Sequence, residues 1–196
     1  MTENYALGPF PTGSVKIRKF AANIKTDDIS STHKSILIRM EHYVNGAHIQ
    51  LERIKKDIEL THQSSPSEDG WDIGLWCQML DTHFLAVSVN MGADLARTLA
   101  YDLVSVNPNW NGIKSDYRIM DDEFLHPLRD ALEHMGERLS GFERGKPVVP
   151  KPATFQLDMS ENGLMFFIWG ESKYNLNKMV DDLTAIFEKT IRILEQ

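Results

Sequence analysis

The chain of 196 residues contains a single cysteine, Cys77. One thiol excludes an intramolecular disulfide and any multi-cysteine zinc site. Its surroundings, IGLWCQML, have an apolar helical pattern, which assigns Cys77 to core packing. No uninterrupted apolar run approaches the roughly 18 residues a membrane helix needs, so no membrane partner is expected. The opening stretch MTENYALGPFPTGSVKIRKF lacks a basic segment followed by an apolar one, so no secretory signal is read there. These absences together point to the cytoplasm. Positive charge is also scarce: 21 Lys and Arg stand against 28 Asp and Glu, a formal net charge of −7. Capture of nucleic acid by the overall field is therefore disfavoured, and any such contact must use a local site. The local basic clusters around Lys16, Arg53 and Arg144 read as solvated faces.

What is present is an ordinary globular composition, 42% apolar and 25% charged, in a chain long enough for one domain over 1–196. Ile36, Met40, Tyr43, Ala47, Leu51, Ile54 and Ile58 recur at steps of three and four, an amphipathic helix preceded by an N-terminal extension over 1–30. A second stripe runs through Trp76, Leu80, Phe84, Val87, Met91, Leu95, Leu99 and Leu103. The connector HQSSPSEDG between them can reverse the chain, so the two helices should pack antiparallel. SVNPNWNGIKS reads as a break, and a third helix is expected from about Asp121 to Leu139. An extended linker, 140–153, leads to a β-hairpin over 154–169, signalled by two aromatic-rich runs joined through SENG. LNKMVDDLTAIFEKTIRIL then returns to helical spacing through Met179, Leu183, Ile186, Thr190 and Ile193. The expected fold is all-α: a bundle of about four main helices with a small β-hairpin before the last.

The densest chemistry lies in LRDALEHMGERL, Leu128 to Leu139. With about 100° per residue, Asp130 and His134 are neighbours about 40° apart, within reach of a carboxylate–imidazole hydrogen bond. Such a bond would set the histidine's tautomer and favour its protonated form. Arg129 and Glu133 form a second pair at the same spacing. Arg129 and His134, by contrast, are roughly 140° apart on an ideal helix. One helix alone need not bring both onto one substrate, although two copies could. On spacing alone two readings stand: a surface ion pair beside a solvated carboxylate, or a catalytic pair.

The run Arg129-Asp130-Ala131-Leu132-Glu133-His134 resembles the Arg-x4–6-His motif of HEPN domains, with a polar residue directly after the arginine. More closely, LRDALEHMGERL is similar to the RNxxEHxDERL segment of a group of bacterial HEPN-like proteins. FIWGESKYNL, Phe167 to Leu176, resembles the aromatic ending that precedes the terminal helix in that group. The resemblance covers mainly 116–196. Asp130 stands where the group usually has Asn, and Gly136 where it has Asp.

The resemblance implies a HEPN-like helical bundle acting as a homodimer, with motifs from two chains meeting across a cleft. It implies a metal-independent endoribonuclease with no cofactor, possible toxin or defence roles, and an antitoxin or other protein partner. His134 would be general acid or base, and Arg129 would hold the scissile phosphate. Asp130 would orient His134, and Glu133 would restrain Arg129. It equally admits a non-catalytic dimeric binding or scaffold protein. Residues that bind the rest of an RNA substrate are not identified by the motif.

Elsewhere the chemistry is thin. His42 and His48 are six apart on the first helix, about 120° from facing alike, with His33 before them and His83 on the second helix. That spacing does not make a helical metal site, and none is expected. Trp71, Trp76, Trp110 and Trp169 are spread out and read as core or loop anchors. No phosphate-binding glycine loop, Gly-x-Ser-x-Gly elbow or Cys–His nucleophile pair occurs.

Overall fold

A computed structural model describes residues 30–61, 73–128, 142–143, 146–147, 155–169 and 172–196. Two helices of 31 residues each, α1 (Ser31–Thr61) and α2 (Ile73–Leu103), form its spine. They run antiparallel in a register marked by four cross-helix approaches: His33 with Asp102, Tyr43 with Gly92, Gly46 with Ser88, and Arg53 with Asp81. On α1 the expected stripe is inward, with Met40, Ala47, Leu51, Ile54 and Ile58 buried alongside Leu37 and Val44.

The phase of α2 differs from expectation. Its buried face is Leu85, Ala86, Val89, Ala93, Ala96, Leu99 and Ala100, together with the polar Gln78, Asp81 and Thr82. Leu80, Phe84, Val87 and Met91 of the expected stripe are 54%, 52%, 41% and 38% exposed. Cys77 is exposed as well, contrary to the core placement. The physical reason is close approach: α2 is sandwiched between α1 and the last helix, so its inner face sets alanines and Gly92 among Leu85, Val89 and Leu99, while Leu80, Phe84, Val87 and Met91 are turned outward. Gly92 marks the tightest point. A Cβ there would lie 2.9 Å and 3.3 Å from the two methyls of Leu183 and 3.4 Å from the Tyr43 Cβ.

After α2 the chain reverses through a 3-10 turn, Pro108–Trp110, into α3 (Asn111–Met120). The expected break at SVNPNWNGIKS is therefore a helix start some ten residues earlier than anticipated. Asn107 caps the turn by accepting a hydrogen bond from the Asn109 N–H at 3.0 Å. Pro108, with its fixed φ and missing N–H, suits the first position. Trp110 is buried, as an anchor should be. A π-helical turn, Asp121–Leu125, follows α3 directly, and helical backbone continues through Leu128.

Within the expected linker, β1 (Phe142–Glu143) pairs antiparallel with β2 (Lys146–Pro147). The hairpin is formed by β3 (Phe155–Met159) and β4 (Met165–Trp169), with Phe155 opposite Trp169 and Met159 opposite Met165. Gly163 takes φ +76° in its turn, a conformation glycine adopts without steric cost. A third strand, β5 (Ser172–Asn175), adds to β4, so the hairpin is one part of a three-stranded sheet. Met165 and Phe167 face the core, and Phe167 stacks on Tyr174 with ring centroids 5.9 Å apart.

Helix α4 (Leu176–Leu194) has the bounds the sequence predicts, and Met179, Leu183, Ile186, Thr190 and Ile193 are all buried. Asn175 caps it by accepting from the Lys178 N–H at 3.0 Å. Asn177 accepts from the Met165 N–H at 2.7 Å, fastening the helix to the sheet. Against α1, the Thr184 hydroxyl donates to the Val180 carbonyl and so accepts from His48 Nε2–H at 2.9 Å. The architecture is thus mostly helical, with a small antiparallel sheet before the last helix.

The close approach at Gly92 is testable. Gly92→Val forces a branched side chain against Leu183 and Tyr43, and a loss of about 2–3 kcal/mol is expected in urea unfolding. An unchanged midpoint would show that α4 does not press on α2 there.

The α1–α2 seam also carries a pH signature. Burial raises the pKa of Asp81, against the pull of Arg53 (Nε to Oδ2, 3.1 Å); burial raises that of Asp57 too. A folded pKa above the unfolded value of 3.8 means that the native state binds more protons just above that pH. The stabilising contribution is full below 3.8 and is lost as pH rises through the folded pKa. Asp81→Asn keeps an acceptor for Arg53 and removes the titration. Its thermal midpoint relative to wild type is expected to be most favourable at pH 7 and to fall toward pH 4. Parallel curves would contradict this.

Candidate functional site

Arg129, Asp130, Glu133 and His134 lie outside the described residues. What is described is the helical path into them. The π turn ends with the His126 N–H bonded to the Asp121 carbonyl, and Phe124, Leu125 and Leu128 are all buried. Leu125 and Leu128 are the first two members of the leucine stripe expected to face inward. Lys178 of α4 holds this turn from outside. Its Nζ reaches Glu123 at 2.9 Å and Asp182 at 2.7 Å, and sits 4.7 Å from the centroid of the Phe124 ring. Burial works against the Lys178 charge, but the two carboxylates outweigh it and raise its pKa. A π turn removes the regular helical register for one turn, a distortion common beside functional residues. Here it sits immediately before the motif.

A second feature was not foreseen from sequence. Arg97 and Tyr101 of α2 and Lys114, Tyr117 and Arg118 of α3 line a groove of about 440 Å³, with Asp121 also in its wall. The two helices exchange cations: Arg97 lies over the Tyr117 ring at 4.9 Å, and Lys114 over the Tyr101 ring at 4.2 Å. These residues fall in none of the basic clusters visible along the chain, because they are gathered from two helices. The sequence signal was a cation followed by a tyrosine four residues on, Arg97–Tyr101, and a cation–tyrosine–cation run, Lys114–Tyr117–Arg118, across a short turn.

The third feature is the outer face of α2. Leu80, Phe84, Val87 and Met91 recur at steps of four, three and four, and form one exposed apolar stripe. The intervening residues add no outward charge. Asp81 is buried against Arg53, and His83 is an exposed ring set edge-on to Phe84 at 6.0 Å.

The described histidines do not converge. His33 faces Asp102 at 3.7 Å, His48 bonds Thr184, and His42 and His126 are exposed elsewhere. Among the described residues no group of three His, Cys, Asp or Glu could hold a metal ion, and no helix is long and apolar enough to cross a membrane. No protein-family model, curated protein or solved structure matches the chain.

Proposed function

We propose that this chain is a HEPN-like protein that cleaves RNA without a metal, as a homodimer in the cytoplasm. The reading is carried by the Arg129-x4-His134 motif, set directly after a helical turn whose Leu125 and Leu128 are buried as the leucine stripe requires. In this mechanism His134 accepts the proton of a ribose 2′-hydroxyl, and the oxygen attacks the adjacent phosphorus. The bond to the 5′-oxygen breaks, and that oxygen takes up the proton. Products are a 2′,3′-cyclic phosphate and a 5′-hydroxyl. Arg129 presents its planar fork to the phosphate and stabilises the charge that develops there. Asp130 orients His134, and Glu133 restrains Arg129.

The dimer is supported by the outer face of α2. Steps of four, three and four read the same in both directions. A second copy laid antiparallel would set Leu80 against Met91 and Phe84 against Val87, a self-complementary contact of the isologous kind. The patch is on the order of 300 Å², within the range of ordinary monomer surfaces and below the roughly 800 Å² per partner of a standard interface, so its self-complementary spacing carries the argument rather than its size. The polar flanks of α2 supply the rest. The same face serves a second reading, a non-catalytic dimeric module that recruits a protein partner such as an antitoxin. The net charge of −7 per chain favours that reading over a nuclease relying on overall charge.

Two experiments test these statements. Purified protein is expected to cut RNA in excess EDTA, and His134→Ala to lose at least about 100-fold in rate with the fold intact. Cutting that persists in an Arg129→Ala, His134→Ala double variant would sink the ribonuclease reading. For the dimer, light scattering is expected to give twice the chain mass for wild type and one chain mass for Phe84→Ser, Val87→Ser. A double variant that stays dimeric would place the interface elsewhere.

A further inference from the structure

We infer that the groove between α2 and α3, built from Arg97, Tyr101, Lys114, Tyr117 and Arg118, is a binding site for single-stranded RNA. This names a substrate-binding surface for the proposed ribonuclease and rests on that reading for the choice of RNA as the nucleic acid.

Three cations and two aromatic rings share one open groove on a chain whose overall charge is −7. Tyr101 is 62% exposed, an unusual position for so large a ring, and Lys114 lies over it at 4.2 Å. Arg118 is exposed, and its guanidinium has no hydrogen-bond or ion-pair partner among the described residues. Arg97 is partly committed, since its Nη2 donates to Asp94 while the guanidinium covers the Tyr117 ring. The rings and cations alternate across the groove because each helix offers a cation to the other's tyrosine. Sequence-tolerant recognition of a single strand needs that alternation: flat rings for bases, cations between them for phosphates. A base takes the solvent side of Tyr101, and flanking phosphates meet Lys114 and Arg118. An acidic peptide would use the cations but leave the exposed face of Tyr101 without a flat partner.

The acids set limits on the site. Asp94 offsets part of the Arg97 charge, and Asp121 adds a carboxylate to the groove wall. At most three phosphates can be met, so the electrostatic part of binding is modest and the rings carry much of the selectivity. A log–log dependence of affinity on salt with a slope of about −2 corresponds to three phosphate contacts on a single strand.

The test uses the full-length chain and a fluorescently labelled 12-nucleotide oligouridylate, 2′-O-methylated throughout so that it cannot be cut. Fluorescence anisotropy is expected to show binding that Tyr101→Ala weakens about tenfold and Tyr101→Phe leaves unchanged. Lys114→Ala with Arg118→Ala should weaken binding and reduce the salt slope by about 1.4. Tyr101 and Arg118 are exposed, so their variants are expected to fold, which thermal melting confirms independently. Affinity and slope unchanged in all these variants would overturn the assignment. So would a labelled oligoglutamate that binds as tightly as the oligonucleotide and competes with it. Tyr101-dependent binding in a chain that cuts no RNA would remove the ribonuclease reading and leave the groove standing. RNA cutting in a protein whose oligonucleotide binding ignores Tyr101 and Lys114 would remove the groove alone.

Discussion

The structure depends on how closely three helices can approach at Gly92. There α2 has no side chain, a methyl of Leu183 from α4 sits 2.9 Å from where a Cβ would be, and Tyr43 of α1 closes the other side. A crossing this tight requires small residues along the rest of the inner face, and Ala86, Ala93, Ala96 and Ala100 supply them. Leu80, Phe84, Val87 and Met91 are then left for the outer face. The exposed stripe follows from the core: alanines and Gly92, set among Leu85, Val89 and Leu99, let α2 close on its neighbours, and those four large side chains remain outside.

The second consequence lies at the other end of the bundle. With α4 pressed against α1 and α2, its first turn comes beside the π turn, and Lys178 can reach both Glu123 and Asp182. The sheet is fastened to the same turn through Asn177 and the Met165 N–H. Both tethers are polar, directional and near the surface, while Phe124, Leu125 and Leu128 beneath them are buried. The backbone entering Arg129 is therefore held from two sides, by apolar packing inside and by an ammonium bridging two carboxylates outside. Each such exposed bridge contributes little to global stability, so its consequence is local: it fixes where the turn lies.

Periodicity was a reliable guide wherever a helix has a single buried face. The α1 stripe and all five marker residues of α4 face inward because on each helix the apolar residues are confined to one side. On α2 the same reasoning holds for Leu95, Leu99 and Leu103, but from Leu80 to Met91 it picks the wrong face. From Phe84 to Ala93 that helix is apolar nearly all round, and periodicity cannot say which side meets a tighter neighbour. Cys77, on the flank of the outer face, was misplaced by the same error. Asn107-Pro108 was read as a break because turn and helix-start signals share the same residues; only the continuation through Trp110 separates them. The third strand was hidden by its shortness, four residues including Lys173 exposed at the sheet edge. As for the site, the motif is legible in sequence but falls outside the described residues. The groove is described in full, yet was illegible because its cations are gathered from two helices.

The two outward faces of α2 bear on whether one molecule can use both. The apolar stripe runs from Leu80 to Met91, and the groove side chains begin at Arg97. Between them the helix surface turns polar, with Asp94 bound to Arg97 and Thr98 bonding back to the Asp94 carbonyl. If two copies meet antiparallel across the stripe, their shared axis passes midway between Phe84 and Val87. Arg97 of each chain then lies roughly 17 Å along the helix from that axis, and Tyr101 roughly 23 Å. The two grooves fall about 35–45 Å apart along the paired helices, on opposite ends and beyond the stripe itself. A change that separates the chains should leave each groove's own affinity intact. Under the ribonuclease reading, a loss of cleavage on separation would then trace to a motif that needs two chains rather than to a lost grip on RNA.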